Sequence, residues 1–158
     1  MIIRVLTVGG VKGPLGTVVE EYEARARHYW RLESEEVQGG VPKSQKADAA
    51  SVMDAEAARI LPRIPGDAWV VALTREGKRV GSRPLARALE EKAVRSVREV
   101  VFVIGGAYGL GEGVLRRADL RLSLSELTLP HEVARLILAE QLYRAGTIVR
   151  NEPYHKGP

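Results

Sequence analysis

A chain of 158 residues that is 45% hydrophobic and 28% charged has the size and balance of one folded domain, which excludes wholesale disorder. The absence of cysteine excludes disulfides, thiolate metal sites and thiol nucleophiles, and no apolar run approaches the ~18 residues a membrane span requires. No secretory-type leader precedes the first apolar run, so a cytoplasmic protein is expected, and a net charge of +4 permits an anionic partner without requiring one.

Residues 2–8 are apolar and β-branched, the pattern of a strand buried on both faces. After Gly13-Pro14, Val18, Val19, Tyr22, Ala26, Tyr29 and Trp30 recur at threes and fours, which predicts an amphipathic helix with Glu20, Arg25 and Arg27 outside. Residues 32–37 are more polar and suit an edge strand, and residues 47–61 repeat the helical pattern until Pro62. A second buried strand is expected over 68–74, followed by a basic loop over 75–81. Ser82 as N-cap, Pro84 in the first turn and inward Leu85, Leu89 and Val97 then mark a third helix. Residues 100–104 form a third buried strand. Residues 119–124 alternate with Leu120, Leu122 and Leu124 inward, and residues 129–145 make a long helix capped by Thr128.

This order is βα repeated about five times. Right-handed crossovers make it an α/β fold, a mostly parallel sheet with helices on both faces, in a single domain over residues 1–158. Ligands in such sheets bind beyond the carboxyl ends of the strands. Three loops lie there: 75–81, 105–111 and 125–130.

Residues 75–99 carry eight basic and four acidic side chains, against four and seven over 32–74. Arg75, Lys78, Arg79 and Arg83 crowd around Gly77 and Gly81, where they could hold phosphates or simply form a solvated loop. Four glycines in Gly105-Gly-Ala-Tyr-Gly-Leu-Gly111 favour close approach of backbone to a ligand over a mere turn. His28, His131 and His155 are the only histidines, with no metal-ligand spacing among them, so no metal is expected. The terminal Asn151-Glu-Pro-Tyr-His-Lys156, preceded by Arg150, concentrates groups suited to stacking on a base and pairing with phosphate.

Taken in order, Ile104-Gly-Gly-Ala-Tyr-Gly-Leu-Gly111, Leu124-Ser-Glu-Leu-Thr-Leu-Pro-His131, Leu142-Tyr-Arg-Ala145 and Asn151-Glu-Pro-Tyr-His155 closely resemble the ribosomal RNA large subunit methyltransferase H family, over essentially the whole chain. These are small SPOUT-class enzymes that methylate ring nitrogen three of a pseudouridine in large-subunit (23S) rRNA. The resemblance implies a C-terminal trefoil knot holding S-adenosylmethionine, with Leu73, Gly106, Ser125, Glu126, Leu127, Thr128, Leu129 and Pro130 around it. It implies a homodimer in which one subunit's tail completes the partner's site, and it matches His131, Tyr154 and His155 to the family's catalytic motif positions. Two departures stand out: Thr74 where many relatives have Asp, and Lys156 where they end in Arg, which exchanges a planar fork for a point charge.

The expected activity is therefore methyl transfer to folded rRNA. Positioning and water exclusion supply most of the catalysis, and His155 or Tyr154 moves the imino proton. Arg75, Lys78, Arg79, Arg150 and Lys156 are the expected RNA contacts. The last helix carries Leu136, Ile137, Leu138, Leu142 and Ile148, more apolar surface than one sheet face needs, which also points to a homodimer. The rival readings are a non-catalytic RNA-binding module and another nucleotide-dependent enzyme on an open sheet.

Overall fold

A computed structural model describes residues 1–45 and 47–156. Five strands, β1 (Ile2–Val8), β2 (Arg31–Val37), β3 (Trp69–Arg79), β4 (Glu99–Ile104) and β5 (Leu120–Ser123), form one sheet in the order β2-β1-β4-β3-β5. Every neighbouring pair is parallel. The helices α1 (Gly13–Ala26), α2 (Ala49–Ile60), α3 (Ser82–Val94), α4 (Glu112–Arg117) and α5 (His131–Val149) each follow one strand, so the βα alternation expected from the sequence is the architecture observed.

The central strand β4 is buried along its whole length, and its side chains divide by parity. Val100, Phe102 and Ile104 join Ile3, Val5 and Val71 on one face, against Ala26 of α1, Leu85 and Leu89 of α3, and Leu138 and Leu142 of α5. Val101 and Val103 join Leu6, Val8, Val70 and Ala72 on the other, against Ala57 and Ile60 of α2 and Val114 of α4. Two buried faces explain why these strands are continuously apolar rather than alternating. At roughly 1.5–3 kcal/mol for each large side chain removed from water, this two-sided core dominates the favourable side of folding.

The structure corrects several local expectations. The segment 75–81 is not a loop: β3 continues to Arg79, with Leu73 and then Lys78 both registered against Leu122 after a bulge. Gly77 sits at that bulge, and a Cβ there would lie 2.7 Å from the backbone C and O of Arg121, so only glycine lets the two chains pass this closely. Gly81, not Ser82, is the N-cap of α3, and the Ser82 hydroxyl donates to Gln141 Oε1 at 2.6 Å. Pro130, not Thr128, precedes α5 as its N-cap, and Thr128 Oγ1 accepts from Arg75. Helix α1 ends at Ala26; Trp30 lies beyond it and donates from Nε1 to the Leu142 carbonyl at 2.8 Å. Leu138 and Leu142 are fully buried in the chain's own core, so of the apolar residues assigned to a subunit interface only Leu136, Ile137 and Ile148 remain partly exposed.

A buried ion cluster ties α5 to its neighbours. Arg135, 8% exposed, donates to Glu23 of α1 at 2.9 Å and to Glu36 of β2 at 2.8 Å. Burial would lower the guanidinium pKa, but the bonds to Glu23 and Glu36 outweigh it and the net shift is upward.

Candidate active site

The carboxyl ends of β3, β4 and β5 open into a cleft of about 420 Å³. The segment 73–76 forms one wall, the glycine loop 105–110 the floor, and the connection 124–129 the other wall, closed at the base by His131 and Ala134 of α5. Loops that the sequence places far apart meet here because the parallel order puts β3 between β4 and β5. The lining is mixed: Leu73, Leu124 and Leu129 supply apolar surface, while Thr74, Ser125 and Thr128 supply hydroxyls.

The glycine loop is shaped by internal packing. A Cβ on Gly105 would lie 2.7 Å from the Gly109 carbonyl carbon, and Gly109 itself has φ +85°, so the loop folds back on itself in a way only glycine permits. A Cβ on Gly106 would meet Glu56 Oε1 at 2.9 Å and Val8 Cγ1 at 3.1 Å, both behind the loop. The glycines are thus required by the fold of the loop, which also forms the cleft floor.

The cleft gathers Leu73, Gly106, Ser125, Leu127, Thr128, Leu129 and His131, together with Arg75. Glu126 does not line it; its carboxylate pairs outward with Arg79 at 3.1 Å, both side chains well exposed. Pro130 sets the helix entrance beside it. His131 Nε2 lies 3.0 Å from the Gly10 carbonyl oxygen and Nδ1 lies 3.2 Å from Glu132 Oε1, so both ring nitrogens face acceptors and proton transfer through this ring must break one contact. Arg75, Lys78 and Arg79 stand exposed at the end of β3.

Arg150, Tyr154, His155 and Lys156 are absent from the cleft lining. Arg150 lies at the far end of α5, and the tail beyond it folds back along the helix to Glu140, Gln141 and Tyr143, roughly 15 Å from His131 at ~1.5 Å per residue. Tyr154 packs on Tyr143 and donates to Glu140 Oε1 at 3.1 Å, while Arg144 lies over its ring. Burial first, then the Glu140 charge and hydrogen bond, push the Tyr154 pKa up to about 12, so in this position the phenol keeps its proton. Arg150 lies over the Tyr29 ring. His155 and Lys156 border a second hollow of about 230 Å³ with Ser82, Gln141 and Arg144, and His155 Nδ1 is buried with no hydrogen-bond partner among the described residues.

Two features are not legible in the sequence: the exposure of Tyr108 and Leu127, and the burial of Glu56. Tyr108 is 53% exposed and Leu127 73% exposed beside the cleft, a pair of apolar side chains left in water. Glu56, 3% exposed behind Gly106, reads in sequence as one more polar position of an Ala-rich helix. Among the described residues no group of three or more His, Cys, Asp or Glu could hold a metal ion, and no helix is long and apolar enough to cross a membrane.

Comparison with known proteins agrees with this geometry. The family model described as "Predicted SPOUT methyltransferase" matches residues 1–155. The chain is 48% identical over 157 residues to the ribosomal RNA large subunit methyltransferase H of Gemmatimonas aurantiaca, covering 99% of this chain and 100% of the relative. It is 46% identical to that of Syntrophotalea carbinolica, over 98% of this chain and 99% of the relative, and 44% identical to that of Listeria monocytogenes, over 99% and 100%. Among solved structures, a probable methylase family protein from Haemophilus influenzae superposes with a TM-score of 0.53 at 16% identity, over 98% of this chain and 70% of that one, and so shares the fold. With the cleft lying where this fold binds ligands, the chain belongs to the SPOUT methyltransferase family and is an enzyme of methyl transfer.

Proposed function

We propose that the protein transfers a methyl group from S-adenosylmethionine to ring nitrogen three of a pseudouridine in large-subunit ribosomal RNA, as a cytoplasmic homodimer of single-domain subunits. The observation that carries this is the convergence of Leu73, Gly106 and Ser125 to Leu129 on one cleft at the sheet's carboxyl edge. Its volume, about 420 Å³, falls in the range of about 300–1,000 Å³ usual for cofactor pockets, and its leucines and hydroxyls suit an adenosine and an amino-acid tail. The same reading includes the C-terminal trefoil knot that membership of the family implies.

When bound, S-adenosylmethionine supplies a methyl already activated on a sulfonium. The chain's own work is to orient and dry the reactants. Leu73, Leu124 and Leu129 exclude water, while Ser125, Thr128 and backbone groups of the 105–110 floor offer hydrogen bonds. Tyr108 and Leu127 at the mouth give a base or a partner subunit apolar surface to cover. The exposed Arg75, Lys78 and Arg79 attract phosphates, with Arg79 first releasing an exposed and therefore weak pair to Glu126.

The position of the tail, outside its own cleft, supports the homodimer. A tail docked on Glu140 and Tyr143, roughly 15 Å along α5 from His131 and outside the lining of its own cleft, is placed to serve a second copy, so Tyr154, His155, Arg150 and Lys156 are assigned to the partner's site. With Tyr154 keeping its proton, His155 is the better acceptor for the imino proton, and Tyr154 the better stacking surface.

The test is methyl transfer from labelled S-adenosylmethionine to naked large-subunit RNA, the isolated subunit and the assembled ribosome, with the product nucleoside identified by mass spectrometry. Methylpseudouridine from one of the three is expected. Label on another nucleoside, or on none, overturns the assignment.

A further inference from the structure

One carboxylate oxygen of Glu56 is left unmatched. Glu56 lies on α2 and is 3% exposed. Its Oε2 accepts from the Gly40 backbone N–H at 2.8 Å, yet Oε1 is buried with no hydrogen-bond partner, and no cation pairs with the group among the described residues. A buried carboxylate oxygen left unmatched is expensive, so such a group usually answers a need elsewhere. Both oxygens press on the back of Gly106: a Cβ there would lie 2.9 Å from Oε1 and 3.0 Å from Oε2. The front of Gly106 is the cleft floor.

We propose that Glu56 is a specificity-determining residue for the methyl donor: its carboxylate, set behind Gly106, favours a cationic sulfonium in the cleft over the neutral thioether left after transfer. The proposal rests on the reading that the cleft holds S-adenosylmethionine. A cation seated against Gly106 would be separated from the carboxylate by that residue's backbone, so protein rather than bulk water would lie between them and the attraction would be only partly screened. The cleft's own acidic lining residue, Glu76, is exposed beside Arg75 and is screened by solvent and by that neighbour. Glu56 therefore holds the one buried negative charge against this floor among the described residues. Loss of the positive charge on transfer removes the attraction, so the device also speeds product departure.

The experiment is calorimetric binding of S-adenosylmethionine and S-adenosylhomocysteine to the wild-type protein, Glu56→Gln and Glu56→Asp. Gln keeps the shape and an acceptor for Gly40 while removing the charge. Wild type should prefer the sulfonium; Glu56→Gln should lose about tenfold of that preference, mainly through weaker donor binding, and Glu56→Asp should keep most of it. Equal weakening of both ligands by Glu56→Gln assigns Glu56 a purely structural role and overturns the proposal. Should Glu56→Gln fail to fold, the wild type still decides: sinefungin, which carries an ammonium at the methyl-bearing position, must bind more tightly than S-adenosylhomocysteine, and equal affinities overturn the proposal. Failure of the wild type to bind either adenosyl ligand would instead remove the cofactor reading itself.

Discussion

The ring of Tyr154 rests against that of Tyr143 with centroids 4.5 Å apart, so the C-terminal tail is docked on its own helix rather than frayed. Glu152 reinforces the docking, accepting from the Tyr29 hydroxyl and donating its backbone N–H to Thr147 O at 2.8 Å. Removing residues 152–158 should therefore cost stability, about 1–2 kcal/mol for two side-chain bonds and an aromatic contact, measured by urea denaturation. Tyr154→Phe keeps the ring and should retain most single-turnover methylation, whereas His155→Ala should lower it at least about 100-fold, the usual worth of a positioned proton acceptor. Near wild-type rates for His155→Ala would withdraw its catalytic assignment.

If the tail serves the opposite subunit, two dead variants should rescue each other. Gly106→Val disrupts the cleft floor by driving a side chain into Glu56 and Val8, and His155→Ala disables the tail. Random reassortment puts about half of the dimers in the mixed form with one intact composite site each, so about a quarter of wild-type activity should return. Activity that stays at the level of the separate variants would assign tail and cleft to the same chain.

The raised tyrosines give the fold an alkaline limit. Tyr29 is held up to about 12, chiefly by its hydrogen bond to Glu152 and then by burial, and Tyr154 likewise, against 10.0 for a free tyrosine. The folded state thus keeps these protons after the unfolded chain has lost them. Their contribution is complete below pH 10 and disappears as pH climbs through about 12. Denaturation midpoints should fall across that window, and the Tyr29→Phe/Tyr154→Phe double variant should show a shallower fall. Tyrosinate absorbance tracks the same groups directly.

Glu23→Ala should lower stability by about 3 kcal/mol, because the buried Arg135 would lose its buried partner and keep only the half-exposed Glu36. Replacing Glu23 and Arg135 together with Leu and Met should cost much less, since no buried charge is then stranded. A double variant as unstable as the single one would mean that packing, not charge, decides this site.

Gly77→Ala should destabilise by about 2 kcal/mol or abolish folding, since the new methyl meets backbone of Arg121 and Leu122 rather than a movable side chain. A variant with an unchanged thermal midpoint would show that the crossing relaxes freely.

The buried strands were legible because two covered faces demand unbroken runs such as Val100 to Ile104. The end of β3 was not: Arg75 to Arg79 is hydrophilic because solvent reaches it, and only the pairing of Lys78 and Arg79 with β5 makes it strand. Thr128 and Ser82 have the chemistry of caps, yet their hydroxyls meet Arg75 and Gln141, partners that exist only after folding. Leu73, Gly106 and Ser125 were found through motif resemblance, since spacing alone cannot bring three separated loops together. Glu56 carries no local signal, because its burial is created by glycine loops 16 residues away in one direction and 50 in the other.

The two edges of the sheet differ in charge balance. On edge strand β2, Glu33, Glu35 and Glu36 are matched by Arg4, Arg31, Arg63 and Arg135, while the opposite side presents Arg75, Lys78, Arg79 and Arg121 with Glu126 paired to Arg79. A polyanion approaching in solution meets an electrical gradient running across the sheet and exerts a torque on the protein before any surfaces touch. The molecule arrives already turned, its basic flank leading, and added salt should scramble that orientation over the ~10 Å range on which ions screen.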